Sequence, residues 1–269
     1  MKKLVVNADD FGYTRDVNAG IIRAHTHGIL TATTLMANGQ AFDDAVALAK
    51  QHPSLDVGCH LVLVGGRSLL LGAKDLPNSV SSLLSELAFG RINVYAELRA
   101  QIERIRAAGI TPTHLDTHKH THLTFPVLRA VARLSEEFGI RWVRRPFDFP
   151  LSGGKPTPWS KKAVSNGLQL LRRYFHAVLS RHGCRTTDHF AGFQLTGYLR
   201  SDELVSLLAV LPEGITEFMC HPGYCTDELR AARTRLKESR EAELEALTAP
   251  VVRECLQRYG IDLTGYRQL

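Results

Sequence analysis

Short apolar runs alternate with longer amphipathic stretches along almost the whole chain. Leu4–Ala8, Thr31–Met36, Asp56–Leu63, Arg141–Val143, Asp188–Phe193 and Ile215–Cys220 read as strands. Helical patterns follow them at Asp16–His27, Phe42–Gln51, Tyr95–Ala108, Pro126–Phe138, Lys161–Arg181, Ser201–Leu211 and through 228–258. Repeated β-then-α order calls for a parallel sheet with helical crossovers. About seven such units point to an α/β fold of the (β/α) barrel kind, irregular or incomplete, with an open doubly wound sheet as the alternative. The 269 residues suit one domain, 1–269, without disulfide or metal staples.

Neither a GxGxxG after the first strand nor a GxxxxGK[ST] occurs, so nucleotide binding lacks its usual signal. The net charge of +6 is spread along the chain. Nucleic-acid binding would need a concentrated basic stripe. Of the short basic clusters, Arg145, Lys161–Lys162 and Arg172–Arg173 read as solvated, and Arg144 as part of a site. Five cysteines, an odd number without a CxxC pair, fit a reducing compartment. No apolar run reaches the roughly 20 residues of a membrane span. A cytoplasmic protein without membrane insertion is expected; a homodimer is compatible with the sequence.

The polar residues able to do chemistry collect where strands end. Asp9–Asp10 closes the first strand, His60 the run Val57-Gly58-Cys59-His60, Arg144 a later strand, and His221 the last. In α/β barrels that rim holds the active site. Asp9 and Asp10, followed by Gly12, can both turn upward, one as metal ligand and one as base; Asp-Asp-x-Gly equally suits a turn or helix cap. Taken singly, His60 would be a core or edge histidine. His221 precedes Pro222-Gly223, a turn that can hold an imidazole at the rim as a general acid, with Glu217 on the same strand parity.

The densest segment is Thr113-His114-Leu115-Asp116-Thr117-His118-Lys119-His120-Thr121-His122. Were it all strand, His114, Asp116, His118, His120 and His122 would share one face. They could not all bind one ion. Residues two apart lie about 6.8 Å apart along a strand, and imidazole–metal bonds are about 2 Å. One or two of the histidines can ligate; the others support the site, face substrate or meet solvent.

Taken in order, these segments resemble the YdjC family of carbohydrate deacetylases. The matching residues are Asn7-Ala8-Asp9-Asp10-Phe11-Gly12, Gly58-Cys59-His60-Leu61, residues 113–122 and Met219-Cys220-His221-Pro222-Gly223-Tyr224, with lesser matches at Gly28–Thr33 and Asn38–Ala41. The resemblance implies a deacetylase-type barrel and hydrolysis of an N-acetyl group from an amino sugar. It implies a divalent metal on Asp10, His60 and His118, Asp9 as base and His221 as acid. Arg144, Glu217, Asp116 and His122 are supporting or substrate-contacting candidates. Arg144 would hold Asp9 ionised, and Glu217 would orient His221. The implied metal is Mg²⁺; the His₂Asp donor set also suits Zn²⁺.

Two other readings fit a His₂–carboxylate set. One is a non-haem iron oxygenase, usually built on double-sheet β folds. The other is a sugar- or metal-binding protein without catalysis. Substrate choice would lie in the loops 64–92 and 147–160.

Overall fold

The computed structural model describes residues 1–70, 74–149 and 171–269. Its strands are β1 (Lys2–Phe11), β2 (Ala32–Leu35), β3 (Asp56–Leu61), β4 (His114–Thr117), β5 (Trp142–Val143), β6 (His189–Ala191), β7 (Gly214–Cys220) and β8 (Ile261–Leu263). They form one sheet in the order β5-β4-β3-β2-β1-β7-β6. All its strand pairs are parallel. Isolated parallel bridges, Trp142 to Arg185 and Asp148 to Phe190, join the β5 and β6 ends. The path is a seven-stranded, irregular barrel, as the alternation predicts.

Strand alternation divides the side chains cleanly. Leu4, Val6, Ala8, Cys59, Leu61, Leu115, Val143, Phe218 and Cys220 join the large core between sheet and helices. The other parity faces the barrel interior. Its lower end is apolar, where Val5, Ala32, Trp142 and Tyr266 cluster with Ile215 and Leu269 against them. Above them the same strands present Asn7, Thr34, His60, Asp116, Arg144 and Glu217, all buried. Gly58 leaves room for this column: a Cβ there would lie 2.6 Å from the His114 carbonyl oxygen and 2.7 Å from its ring.

Around the barrel stand helices α1 (Arg15–His27), α2 (Phe42–Gln51), α3 (Val80–Ala88), α4 (Val94–Ala107), α5 (Phe125–Phe138), α6 (Arg172–Arg181), α7 (Ser201–Ala209), α8 (Asp227–Ala231), α9 (Glu238–Thr248) and α10 (Pro250–Arg258). Their ends follow local chemistry. Thr14 caps α1 by accepting from Val17 N, and Gly139 ends α5 in the left-handed conformation. The expected helix Lys161–Arg181 is seen only over Arg172–Arg181, its earlier part lying outside the described residues, as do 150–160 of the expected loop. The loop 64–92 contains α3, as its expected short helix, and residues 71–73 within it also lie outside. Unexpected is β8, which pairs with β1 over Lys2–Leu4 below β2. It leads into the turn Tyr266–Gln268, which carries Tyr266 under the barrel.

The histidine-rich segment departs from the expected strand. β4 stops at Thr117, and His118–Leu123 coils into a 3₁₀ turn with left-handed Lys119 (φ 54°) and His120 (φ 52°). The period of two fails there, so the five-group stripe does not form. Arg145 is corrected as well. It is buried, with its guanidinium on the Asp188 carbonyl, because its strand parity turns it toward the helical layer.

Candidate active site

Asp9 and Asp10 are neighbours in β1, yet both reach the rim. A register shift between Ala8 and Phe11 and a left-handed Asp10 (φ 70°) break the alternation. Aspartate is among the few residues that accept this conformation, and bulges commonly re-aim side chains near active sites. Gly12, also left-handed, continues the turn, and its N–H donates to Asn18 Oδ1 at 2.7 Å.

Asp10 faces His60 from β3 and His118 from the turn after β4. Asp10 Oδ1 lies 3.3 Å from His60 Nε2 and 3.2 Å from His118 Nδ1, and the two nitrogens lie 3.1 Å apart. Octahedral ligands at bonds of about 2.1 Å stand about 3.0 Å apart, and tetrahedral ones at similar bonds about 3.4 Å. The triangle lies between these values. Asp10 Oδ1 is buried and receives no well-aligned hydrogen bond, which leaves its lone pairs free for a cation. These three residues could therefore hold a divalent metal. The set Asp9, His60 and Asp116 also lies close together, but there Arg144 already supplies the positive charge.

The supporting contacts are specific. Asp116 Oδ1 holds His60 Nδ1 at 2.6 Å, leaving Nε2 for the triangle. Thr34 Oγ1 donates to Asp116 Oδ2 at 3.1 Å. Burial disfavours charge on His60, but Asp116, Asp10 and Asp9 outweigh it and raise its pKa to about 10. That field would equally favour a metal cation on a neutral imidazole. Burial also opposes charge on Asp10, yet Arg240, on its Oδ2, and the two histidines hold the carboxyl well below the usual range.

Asp9 has different company. Arg144 binds it bidentately, Nη2 to Oδ1 at 2.6 Å and Nη1 to Oδ2 at 2.8 Å. The same guanidinium reaches Asp116 Oδ2 at 2.7 Å and, through Nε, Glu217 Oε1 at 2.6 Å. Burial works against the Asp9 charge, but Arg144, His60 and His221 overcome it and keep the carboxyl far below the ordinary carboxylate range. Asn7 links Asp9 Oδ1 to His114 Nε2, and the His114 ring stacks on Tyr266 with centroids 3.9 Å apart.

His221 stands across from Asp9, Nε2 to Oδ2 at 3.9 Å. Burial lowers its pKa, with Glu243, Asp9 and Asp10 opposing. Glu217 does not meet it. That carboxylate is taken by Arg144, and Glu243 of α9 stands beside His221 instead, Oε2 to Nδ1 at 3.9 Å. Shared parity put Glu217 on the interior face, but two rungs below His221.

The other histidines have structural places. His122 is buried, bonded to Thr117 Oγ1 and the Arg144 carbonyl, and burial pushes its pKa down to about 3. It steadies the Arg144 backbone as a neutral ring. His120 packs near Phe190 and Phe193. The sequence reading missed Arg240, Glu243 and Thr34. The first two lie in a helix that reads as charged surface, and Thr34 in an ordinary strand; no spacing signal marks them.

Comparison with known proteins follows the same pattern. Residues 3–258 match the family model described as YdjC-like protein. The chain is 35% identical to a carbohydrate deacetylase of Brevibacillus brevis, covering 99% of each chain. It is 34% identical to a carbohydrate deacetylase of Geobacillus stearothermophilus, over 98% of this chain and 96% of that one. Its fold resembles a crystal structure from Enterococcus faecalis V583 described as a cellobiose-phosphate cleavage protein. There the TM-score is 0.78 at 25% identity, covering 99% of this chain and 98% of the other.

Proposed function

The chain belongs to the YdjC-like family, and on that premise we propose that it is a carbohydrate deacetylase, releasing acetate from an N-acetylated amino sugar. One observation carries the reading. A metal-capable triangle (Asp10, His60, His118), an arginine-held carboxylate (Asp9) and a rim imidazole (His221) converge at one end of the barrel. Amide hydrolysis needs an activated nucleophile and also a proton for the nitrogen, because an amide anion leaves poorly.

A divalent cation on Asp10, His60 and His118 would acidify a water molecule and stabilise negative charge on the amide oxygen. The protein's own groups do the rest. Asp9 accepts the proton of the attacking water, and Arg144 keeps that carboxylate ionised and aimed. Asp116 fixes the tautomer of His60 by accepting at Nδ1. His221 delivers a proton to the departing amine. The lowered pKa of His221 makes it a ready donor once it has taken a proton up.

Mg²⁺ is our first assignment and Zn²⁺ the alternative, since two nitrogens and one oxygen suit zinc by ligand type. Chito-oligosaccharides lead the substrate classes. Acetate release from chitobiose, N-acetylglucosamine and an acetylated glycolipid, each with and without chelator, tests the whole reading. Chelator-sensitive acetate release is expected from at least one of them. Oxygen consumption with a 2-oxo acid, or metal binding with no acetate from any of the three, would overturn it.

A further inference from the structure

Helix α9 lies outside the barrel and belongs to none of the rim motifs. Even so, two of its residues, three apart and so on one face, enter the site. Arg240 reaches Asp10 Oδ2, and its carbonyl accepts from Gly223 N at 3.2 Å. Glu243 reaches His221: Oε2 accepts the backbone N–H at 2.5 Å, and Oε1 accepts from Gly197 N at 3.3 Å. The approach depends on missing side chains. Gly20 of α1 meets Gly223 so closely that a Cβ on it would lie 2.4 Å from the Gly223 Cα, and a Cβ on Gly223 would lie 3.2 Å from Arg240 Cδ.

Glu243 is buried at 2% exposure, and His221 Nδ1 is buried with no hydrogen-bond partner. The 3.9 Å between Nδ1 and Oε2 is within ion-pair reach but too long for a hydrogen bond. The carboxylate cannot retreat, because two backbone N–H groups hold both its oxygens. A buried acidic group held in place beside a bare imidazole nitrogen has its use when that imidazole is protonated. The Nδ1–H then finds an acceptor, and Nε2–H is left pointing toward Asp9 and the reacting amide.

We propose that Glu243 is the positioning residue for the His221 proton: it fixes the ring and its protonated form, so that Nε2–H is delivered to the leaving amine. This rests on the deacetylase reading above. Arg240 makes the same helical turn answer to the metal side, so α9 ties the two halves of the site together.

The test uses leaving groups. In Glu243→Gln the charge is lost, and the single amide oxygen can accept from only one of the two backbone N–H groups. Acetate release from the N-acetylated sugar should fall tenfold to a hundredfold in kcat, roughly part of a general acid's whole contribution, with KM nearly unchanged. Hydrolysis of 4-nitrophenyl acetate, whose phenolate leaves without a proton, should change less than about twofold on the same argument. In a His221→Asn background, Glu243→Gln should have almost no further effect on the sugar substrate. An equal fall on both substrates, an undiminished effect in the His221→Asn background, or no fall on the sugar would each overturn the assignment. A wild-type protein that releases acetate from no acetylated sugar would instead sink the deacetylase reading beneath it.

Discussion

Asp9 and Asp10 are consecutive, buried and ionised, yet the regions around them work in opposite ways. On the Asp9 side one guanidinium gathers three carboxylates, with hydrogen bonds to Asp9 and Glu217 and an ion pair to Asp116. On the Asp10 side two imidazole nitrogens lie within hydrogen-bond distance of each other, and the carboxylate oxygen facing both receives no such bond. Arg144 is bonded to both oxygens of Asp9, whereas Arg240 takes only Oδ2 of Asp10 and leaves Oδ1 to the two histidines. One left-handed residue divides them.

The sharpest way to break this contrast is to remove the open side. Asp10→Ala should abolish binding of one divalent ion in calorimetric titration. It should also reduce acetate release on the order of a thousandfold, about 4 kcal/mol of transition-state stabilisation. A variant that keeps its metal and most of its activity would refute the division of labour.

Arg144→Met attacks the closed side. It leaves Asp9, Asp116 and Glu217 buried without their shared cation, so urea unfolding should show a loss of roughly 3–5 kcal/mol. With Arg144 present, the depressed Asp9 pKa contributes stability above its ordinary value near 3.8, and that contribution is lost only as pH falls further. Equal stability of the variant at neutral pH would contradict this account.

Asp148 shows what burial does to a carboxyl when it dominates. Its pKa is pushed up to about 6 by burial, against hydrogen bonds from Gln194 and Phe193. The folded state therefore binds this proton more tightly than the unfolded state. Asp148 contributes stability fully below about pH 3.8 and loses it as pH rises through 6. Asp148→Asn should flatten the stability profile between pH 4 and 6 by roughly 3 kcal/mol relative to wild type. Parallel profiles would argue against burial as the cause.

The smallest expected change is Thr34→Val. It removes the hydroxyl that donates to Asp116 beside His60. A severalfold loss of kcat is expected, near 1 kcal/mol, with the metal retained. No loss would mean that Asp116 needs only Arg144 and His60 to keep its place.

The barrel was legible because the apolar runs recur and carry one parity for core and one for interior. The rim was legible because carboxylates and imidazoles at strand ends have few other uses. Legibility stopped where the backbone left its period. Nothing in Thr-His-Lys-His-Thr announces that Lys119 and His120 turn left-handed and carry His122, a supporting or substrate-contacting candidate, behind Arg144. It stopped again at Arg240 and Glu243, whose neighbours spell a surface helix. Their burial comes from how closely α9 approaches α1, a tertiary fact with no local signature.

The pairing of β1 also bears on how the molecule comes into being. The strand with both aspartates lies beside β7, whose paired residues lie more than two hundred positions later in the chain, and beside β8, later still. Loops of that span close slowly. During synthesis Asp9 would wait for Arg144 and Glu217, and Asp10 for Arg240, as bare carboxylates in water. Competence for the chemistry should therefore arrive at the end of refolding, in step with barrel closure and after most helix has formed.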